Sequence, residues 1–568
     1  MKVSMKFLSS RALALPPLLA ALSLASFDAV AAGSTPPPDA GSLLQELKPS
    51  LKPSLEPQAP KLTIEPRNRA AQLAAPPFLV KALRITGNTS IDTATLHALV
   101  ADREGQSLTL AQLEDVAARI TRHYQAQGYP LARAVIPAQT IADGRVTIQV
   151  IEARYGRVQL RNDSPVGDSM LAATLSTLRT GQPVSEKALD RALLLLSDIP
   201  EVDVSAVLKP GEEVGTSDLQ VATSRKPSSV GVFSVDNYGN RYVGRPRASL
   251  IGVLLNPFHH GDTLTGSLVI AGKRMAYGSV AYDTLINGEG TRAGGAYSRV
   301  SYKLGDSVRA LDAHGTADVA SLWVRHPLLR GKQYNLYGQV QVDLMKLKDR
   351  VDASLVRTDR SLDNGLIGFS GDWRDDLLGG GASAWSLGVT QGRVHFDDAA
   401  AGMADAATAQ TRGRFSKLNL SLSRQQGLSS RDVLYASLAG QWSNDNLDSS
   451  QKMSVGGPAS VRAYDTGAIS GDTGYIGTLE VRHDIGETGG GPVQLMAFVD
   501  SARVTVNRRV WTAGLNKATL SGAGVGARWS PAPLWNVSAV LATRIGSASA
   551  LIGSSASTRA WLVVAKTL

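Results

Sequence analysis

The stretch from residue 229 to residue 568 shows no helical periodicity and consists of short segments that alternate apolar with polar or small side chains. Residues 263–270 are one example and residues 535–539 are another. Turn sequences rich in glycine and in Asp or Asn separate the segments, such as those at 237–240 and 287–290. About sixteen candidate strands fit here, each long enough for the roughly 9–11 residues that a tilted strand needs to cross a bilayer. The pattern therefore predicts a large antiparallel β-structure.

Two folds are compatible with this pattern, a soluble all-β domain and a closed transmembrane β-barrel. Residues 1–32 are typical of a secretory signal peptide, with a basic start, an apolar run at 12–24 and an A-V-A cleavage site at 29–31. Pro16 and Pro17 interrupt the apolar run, which makes a membrane anchor the less favoured interpretation. No later segment could form a transmembrane helix, so a mature chain in a membrane would have to close its strands into a barrel. Low charge on one strand face, the signal peptide and the lack of cysteine favour that barrel.

The composition and the motifs argue against several classes of function. The chain has no cysteine, which excludes a disulfide framework and a thiolate zinc site. Its net charge of +10 is not concentrated in a dense basic tract, which argues against nucleic-acid binding. No G-x-S-x-G nucleophile motif occurs, and the G-x-G-x-x-A match at 522–527 lies in a strand pattern and opens no helix. His259 and His260 lie at a predicted turn without further ligands, so we predict no catalytic, metal or cofactor site.

The region before the β-structure predicts a linker and two repeated modules. Residues 33–77 are rich in proline, which predicts extended and poorly packed chain with one short helix at 41–48. From residue 78 the predicted order is β-α-α-β-β, and the sequence GQSLT at 105–109 recurs as GQPVS at 181–185, each just before a long helix. Each module is predicted as a small sheet with two helices on one face. A sheet edge then stays open and can accept an extended polypeptide as an added strand.

A glycine-rich loop at 456–467 contains one arginine, Arg462, among small residues and one aromatic side chain. Strand alternation places Asp500 on the face opposite the apolar residues, inside the predicted barrel. A carboxylate in a narrow, partly dry lumen is costly unless it is paired, and Arg462 can pair with it through two parallel hydrogen bonds. The alternative is that Asp500 pairs with Arg482 or Arg528 on the wall and that Arg462 stays outside. Small residues in the wall would let the loop approach it closely.

Four short motifs relate the chain to a known family. They are YPLARA at 129–134, DNYGNR at 236–241, the loop Val461-Arg462-Ala463-Tyr464 after two glycines, and the strand Phe498-Val499-Asp500. With the order of linker, modules and barrel, they resemble the outer-membrane translocators of two-partner secretion, the haemolysin and filamentous-haemagglutinin secretion porins. The two modules resemble POTRA domains. The family's loop motif is V-R-G-[YF] and its strand motif is F-x-D-x-G, and here Ala463 and Ala502 replace the two glycines.

The resemblance implies a fold and a division into domains. The fold is two α+β periplasmic POTRA modules followed by an antiparallel 16-stranded transmembrane β-barrel. The implied domains are a signal peptide at 1–32, a proline-rich linker with a plug helix at 33–77, POTRA 1 at 78–152, POTRA 2 at 153–228 and the barrel at 229–568. The implied site is the loop lock of Val461, Arg462, Ala463 and Tyr464 against Phe498 and Asp500 on the wall.

The resemblance also implies a function in the outer membrane. The modules would capture an unfolded secreted protein in the periplasm, POTRA 1 through its sheet edge, and the barrel would export it while the helix at 42–47 plugs the resting pore. The implied partners are a large exoprotein of adhesin or cytolysin type with an N-terminal secretion domain, outer-membrane lipid, and the machinery that inserts barrels; no nucleic acid and no cofactor are implied. A barrel-assembly insertase of the same superfamily is the alternative, although it usually has more POTRA modules. A passive porin explains less, because it needs no such modules.

Overall fold

The computed structural model describes residues 37–47, 61–64, 76–141, 143–226, 229–532, 534–553 and 555–568. The predicted signal peptide at 1–32 and most of the predicted linker at 33–77 lie outside the described residues. In the part of the chain that is described, no helix is long and apolar enough to cross a membrane.

A closed barrel of sixteen antiparallel strands forms from the described residues after position 228, which confirms the predicted fold class. Numbered in chain order, the barrel strands are β10 (Ser229–Asp236), β11 (Arg247–Leu255), β12 (Thr263–Ala271), β13 (Met275–Leu285), β14 (Arg292–Lys303), β15 (Ala313–Arg330), β16 (Tyr334–Val351), β17 (Val356–Asp375), β18 (Gly381–Phe396), β19 (Gly413–Gly427), β20 (Asp432–Ser443), β23 (Thr473–Thr488), β24 (Gly491–Thr505), β25 (Lys517–Trp529), β26 (Trp535–Arg544) and β27 (Thr558–Thr567). They range from eight residues in β10 to twenty in β17. Pairing of β10 with β27 closes the barrel and removes every free strand edge, as a lipid environment requires.

Side chains on the barrel strands alternate between lipid and lumen. Leu322 on β15 is 70% exposed and Val340 on β16 is 56% exposed, whereas Ser321 and Gln341 beside them are buried in the interior. Apolar residues outside and polar residues inside are the pattern of a transmembrane barrel. Short helices lie in loops that connect the barrel strands: 3-10 helices at Asp306–Leu311 and Asp352–Ser354, and helix α6 (Ala399–Ala407).

The first module has the predicted β-α-α-β-β order. Its elements are β2 (Phe78–Val80), β3 (Ala82–Thr86), α2 (Thr93–Ala98), a 3-10 helix at Ala101–Arg103, β4 (Gln106–Leu108), α3 (Leu110–Ala126), β5 (Arg133–Val135) and β6 (Arg145–Ile151). Strand β6 lies between β3 and β5, and a capping box at Thr109 starts α3. Residues 78–86 form two strands and not one, because β2 lies outside the three-stranded sheet and pairs with β4.

The second module repeats this order and adds a strand from the linker. Its own elements are β7 (Arg154–Asp163), α4 (Asp168–Leu175), α5 (Glu186–Ser197), β8 (Val202–Pro210) and β9 (Thr216–Arg225). Strand β1 (Lys61–Ile64) pairs in parallel with β8, so the sheet order is β1-β8-β9-β7. The expectation of poorly packed linker is therefore wrong for residues 61–64, which occupy the β8 edge. These four residues form a strand because the backbone of β8 provides the hydrogen-bond partners that the linker alone does not have. The other outer strand of the sheet, β7, pairs with no strand except β9 among the described residues.

Ion pairs hold the second module against one turn of the barrel. Arg330, at the end of β15, donates from Nε and Nη2 to the two carboxylate oxygens of Asp198 at 2.7 Å each. Lys332 lies 2.8 Å from Asp190 of α5. The bidentate arginine pair fixes both distance and orientation, so the module meets the barrel in a defined position.

Helix α1 (Ala40–Gln45) lies inside the barrel. Asp39 caps its first turn by accepting from the Ser42 amide at 3.0 Å, and the Asp39 amide donates to the Ser42 hydroxyl at 3.0 Å. This cap starts the helix earlier than the predicted range of 41–48, and its last turn ends at Gln45. Leu43 and Leu44 are buried among apolar residues that point inward from several barrel strands. Burial of this apolar face stabilises a helix that is too short to persist in water.

Candidate functional site

The glycine-rich loop at 456–467, here called the lumen loop, folds back into the barrel. It joins β21 (Met453–Val455) to β22 (Ile469–Gly471), and these two short strands pair as its stalk. Gly456 and Gly457 follow β21 with φ of +109° and +97°, a region that side chains disfavour. The two glycines therefore let the chain turn sharply from the stalk towards the barrel wall.

Arg462 of the lumen loop meets Asp500 of β24 in a bidentate pair. Its Nε donates to Asp500 Oδ2 and its Nη2 to Oδ1, both at 2.8 Å, and the Arg462 amide donates to Oδ2 at 3.1 Å. Asp500 is completely buried, and Thr478 on the neighbouring strand donates to its Oδ1 at 2.9 Å. The structure thus brings the two predicted residues together. The alternative partner Arg482 pairs with another carboxylate.

Arg462 also reaches Glu480 of β23, so one guanidinium lies between two carboxylates. Its Nη1 is 2.5 Å from Glu480 Oε2, and Arg482 donates to Glu480 Oε1 at 2.7 Å. The guanidinium stacks over the ring of Phe498 at 3.2 Å from the centroid. We call Arg462, Asp500 and Glu480 the loop clasp. Charge compensation and stacking together make a buried guanidinium tolerable in the lumen.

The rest of the loop tip packs against the wall. Val461, Ala463 and Tyr464 are fully buried in an apolar cluster that includes Phe498. Gly522 of β25 faces Ala463, and a side chain at Gly522 would collide with the Ala463 methyl group. The contact of alanine with a wall glycine explains how the loop approaches the barrel so closely although Ala463 stands where the family has glycine.

The lumen loop also ties together the first hairpin and the last strand of the barrel. Asp465 lies 3.0 Å from Arg245, in the turn between β10 and β11, and 2.6 Å from Arg559 of β27. Trp561 of β27 donates from its indole to the Arg462 carbonyl at 2.7 Å. The seam between β10 and β27 has five paired residues, compared with eight between β10 and β11. The loop therefore reinforces the short seam between β10 and β27 at which the barrel closes.

A second buried arginine holds helix α1. Arg360 of β17 is fully buried; its Nη1 donates to Asp349 at 2.7 Å and its Nη2 to Asp39 at 3.0 Å, and its Nε lies 3.6 Å from Asp448. Tyr302 donates to Asp349 at 2.6 Å, and Asp349 in turn accepts from the Ala40 amide at 3.0 Å. We call Arg360, Asp39, Asp349 and Asp448 the plug cluster. It joins the helix, two wall strands and the loop before β21 at one point.

The far end of helix α1 has polar contacts of its own. Glu46 accepts from the Asn240 side chain at 2.7 Å, and Gln45 donates to the Ser450 carbonyl at 2.7 Å. Asn240 also donates to the Thr466 carbonyl at 3.2 Å, which links the helix to the lumen loop. Asn240 belongs to the DNYGNR motif at 236–241. The motif residue thus connects the two elements that occupy the lumen.

Sequence reasoning missed the plug cluster and the contacts of Asp465. Arg360 and Asp39 are 321 positions apart, and only closure of the barrel brings them together. Strand alternation could have found Arg360 as an inward charge, because it faces the same side as Thr358 and Leu362, which are buried. Glu480 occupies an inward position of the same alternation, but its contact with Arg462 was not predicted from the sequence.

In POTRA 1 the sheet has two outer strands, β3 and β5, each of which pairs only with β6 in the described part of the chain, and the second of them forms the shorter edge. This edge is short, and the Ala134 amide on it already donates to the hydroxyl of Thr121 at 2.9 Å. At the end of β6, Glu152 accepts from the amides of Thr89 and Ser90 at 2.7 Å each and from Tyr124 at 2.8 Å. Burial alone would raise the pKa of Glu152, but these hydrogen bonds outweigh it and lower the pKa to about 2.

Comparison with known proteins assigns the chain to a family. A sequence model described as "POTRA domain, ShlB-type" matches residues 78–153, and one described as "Haemolysin secretion/activation protein ShlB/FhaC/HecB" matches residues 215–529, more than half of the chain. The heme/hemopexin transporter protein HuxB of Haemophilus influenzae is 27% identical over 398 residues, which is 70% of each chain. The outer membrane transporter CdiB of Escherichia coli is 25% identical over 433 residues, covering 73% of this chain and 70% of CdiB.

A solved structure matches the fold. The structure of CdiB from Escherichia coli superposes with a TM-score of 0.72 at 20% identity, covering 90% of this chain and 94% of CdiB. A barrel with POTRA modules at its N-terminal side is shared by secretion transporters and barrel-assembly proteins, and the matched family model assigns this chain to the transporters. This chain belongs to the haemolysin secretion/activation protein family ShlB/FhaC/HecB, the outer-membrane translocators of two-partner secretion. Its partner is therefore a separately made secreted protein.

Proposed function

We propose that this chain exports a large secreted protein of adhesin or cytolysin type, which the POTRA modules capture in an unfolded state and the barrel passes outward once helix α1 has left the lumen. The observation that carries this proposal is the position of α1. The helix lies inside the barrel on the plug cluster, and the chain continues from it to the modules. A lumen filled by a removable helix suits a pore that stays closed until a substrate arrives.

The two lumen elements have different roles in this proposal. The lumen loop stays against the wall during export, because the loop clasp fixes it, while α1 moves away. Capture begins at the β5 edge of POTRA 1, where main-chain hydrogen bonds accept an extended segment whatever its exact sequence. Ordering an unfolded segment costs free energy, so capture should be weak and release easy. Folding of the partner outside the cell then biases the movement outward.

The proposal is tested by removing the helix alone. Deletion of residues 37–47 should raise the ion conductance of the protein in planar bilayers and leave export largely intact. Replacing the same residues with a Gly/Ser segment of equal length is the matched control, because it keeps the length of the linker. Unchanged conductance in both variants would contradict a plug role.

Excision of residues 75–152 tests capture by POTRA 1. It should stop export while the barrel still shifts in mobility on heating, and export by that variant would contradict capture by POTRA 1.

A further inference from the structure

The outer wall of the barrel opposite the seam changes from apolar to basic side chains along its strands. Strands β17 and β18 are the eighth and ninth in the order of sixteen, whereas the seam joins the first strand to the last. Arg330 binds Asp198 of the second module, so the turn between β15 and β16 lies on the periplasmic side and β16 runs outward from it. On the lipid-facing side of β16 the apolar side chains end at Leu344, and the next two side chains are Lys346 and Lys348. The strand therefore passes from the hydrocarbon region into the outer head-group region at this point.

Five cations on four neighbouring strands share this outward face above the apolar band. Their side chains are exposed and form no hydrogen bond or ion pair in the part of the chain that the structure describes: Lys346 and Lys348 of β16, Arg357 of β17, Arg393 of β18 and Arg414 of β19. Two arginines close by differ from them, because Arg299 pairs with Asp318 and Arg350 pairs with Asp359. We call the five unpaired side chains the rim patch.

Two members of the rim patch face each other directly. Arg393 and Arg414 lie opposite each other in the register of β18 and β19. Like charges directly opposite on antiparallel strands destabilise the pairing. Asp363 of β17 lies opposite Arg393 on the other side, but it forms no ion pair among the described residues. The sheet therefore carries a repulsive pair that no carboxylate of the wall neutralises by direct contact.

The wall beside the seam has a neutral arrangement at the corresponding place. After Val499 of β24, the next lipid-facing side chain is Ser501, which hydrogen-bonds to Ser521 of β25 at 2.9 Å. Thr558 of β27 donates to Thr543 of β26 at 3.3 Å. Hydroxyl groups that satisfy each other need no ligand, whereas the cations of the rim patch outnumber the carboxylate beside them. The difference points to an anion from outside the chain.

We infer that the rim patch is a binding site for the phosphate groups of a phosphorylated lipid in the outer leaflet. Guanidinium groups bind phosphate through two parallel hydrogen bonds, and two opposed arginines can share one doubly charged group. The exposed apolar side chains just below the patch, Leu344 of β16 and Val389 of β18, lie where the acyl chains of such a lipid run. This inference goes beyond the export function.

The site lies on the same strands as the plug cluster. Asp349 of β16 and Arg360 of β17 point into the lumen, while the lysines and arginine of the rim patch on these strands point to lipid. The bound lipid therefore supports the wall on which helix α1 rests. It also fixes the depth of the barrel in the membrane on the side opposite the seam.

Lipid titration of the full chain tests the site, with native mass spectrometry of the protein in detergent as the measurement. The probes are bisphosphorylated lipid A and the dephosphorylated lipid with the same acyl chains. The wild-type protein should bind the phosphorylated lipid at least about tenfold more tightly, because Lys and Arg at a membrane surface attract anionic lipid. Arg393→Glu combined with Arg414→Glu should abolish that preference. Equal binding of the two lipids by the wild type, or an unchanged preference in the double variant, would overturn the inference.

A matched charge reversal elsewhere on the outer wall is the control. Arg503 of β24 and Lys517 of β25 are exposed, and each lies opposite a threonine, Thr519 and Thr505. Arg503→Glu combined with Lys517→Glu should keep the wild-type preference for the phosphorylated lipid. An equal loss in this variant would show that net charge, and not the rim patch, attracts the lipid. Displacement of the lipid by an equal concentration of inorganic phosphate would assign the site to the free ion and would also overturn the inference.

Two further variants separate binding from a structural role. Asp363→Asn removes the carboxylate beside Arg393 and should bind the phosphorylated lipid at least as tightly as the wild type. Weaker binding would mean that Asp363 holds the lipid through a metal ion, which contradicts direct contact with the arginines. Arg414→Gln relieves the repulsion with Arg393, so in lipid-free detergent it should resist heating at least as well as the wild type and gain less from added lipid A. Lower heat resistance without lipid would make Arg414 a structural residue and overturn its role in binding.

Discussion

A buried arginine anchors each of the two elements that fill the lumen. In one cluster the arginine lies on the inserted element, and in the other it lies on the barrel wall. In the loop clasp the arginine belongs to the inserted loop, and the carboxylates of Asp500 and Glu480 belong to the wall. In the plug cluster Arg360 belongs to the wall, and the inserted helix contributes one carboxylate, Asp39. Withdrawal of the loop would therefore leave carboxylates on the wall, whereas withdrawal of the helix would leave an arginine there.

Withdrawal of Arg462 would leave Asp500 buried with only Thr478 beside it, although Glu480 would keep Arg482. Withdrawal of Asp39 would leave Arg360 with Asp349 close by and Asp448 within ion-pair distance. A buried charge without a partner is strongly destabilising, whereas a charge that keeps its partners is not. The comparison supports the proposal that the loop stays in the barrel during export while the helix leaves.

Replacement of Arg462 should have the largest effect. Arg462→Ala leaves the buried Asp500 without its cation, a local cost of about 3–5 kcal/mol, so we expect export to be abolished while the barrel still inserts. Secretion assays and heat-dependent mobility on gels measure the two properties. Arg482→Ala is the control on the same wall, because it leaves the Asp500 pair intact and should retain export. Normal export by a folded Arg462→Ala protein would show that the loop clasp is dispensable.

Replacement of Arg360 should open the pore without stopping export. Arg360→Leu leaves three carboxylates close together, at a cost of about 3–5 kcal/mol, and their repulsion should expel the helix and raise conductance in planar bilayers. Asp39→Asn is the milder partner variant. Asparagine still caps the helix but removes the ion pair with Arg360 and an oxygen that accepts from the Ser449 hydroxyl, and we expect a smaller rise in conductance from a loss of about 1–3 kcal/mol. Wild-type conductance in both variants would mean that the ion pairs do not hold the helix.

Replacement of Asp465 should weaken the seam more gently. Asp465→Asn removes the charge that pairs with Arg245 and Arg559, one of which is half-exposed, so we expect a loss of about 1–3 kcal/mol. The expected result is a barrel that unfolds at a lower temperature on heat-modifiability gels and still exports its partner. Asp445→Asn is a matched control, because its pair with the exposed Arg509 lies away from the seam. Equal heat resistance of the Asp465 and Asp445 variants would exclude reinforcement of the seam.

The two clusters also differ in how much of each could be predicted from the sequence. The pairing of Arg462 with Asp500 was predictable, because glycines mark the loop and strand alternation places the aspartate inside. The plug cluster was not, because no local pattern relates Asp39 to Arg360 across most of the barrel. Strand β1 was missed for a similar reason: four residues in a proline-rich linker form a strand only because the β8 edge is there to pair with them. Local periodicity thus predicts elements and their faces, while long-range partners come from closure and docking.

The smallest predicted effect concerns Glu152, a carboxylate outside the membrane. Hydrogen bonds stabilise its charge, and no arginine forms a close ion pair with it. The nearest arginine nitrogen, on Arg154, lies 3.7 Å from Glu152, and the donors that hold this carboxylate come from Thr89, Ser90 and Tyr124. Its folded-state pKa of about 2 lies below its ordinary value of 4.5, so the charged form stabilises POTRA 1 above pH 4.5. That stabilisation should fall as the pH drops from about 4.5 towards 2, because the folded module must then accept a proton on a carboxylate that its donors prefer charged.

Hydrogen exchange of the segment 82–151, expressed as protection factors so that the intrinsic pH dependence cancels, measures this effect on the full chain. Glu152→Gln should lower the stability of POTRA 1 by about 1–2 kcal/mol at neutral pH and flatten its decline in acid. Glu104→Gln is the matched comparison, since the Leu83 amide lowers the pKa of Glu104 from the same ordinary value of 4.5, so its stabilising contribution is also lost as the pH falls below that value. A wild-type protection profile that stays level down to pH 2 would mean that the donors around Glu152 do not favour its charged form. A decline that persists unchanged in Glu152→Gln would assign the acid sensitivity to Glu104 or to other carboxylates of the module.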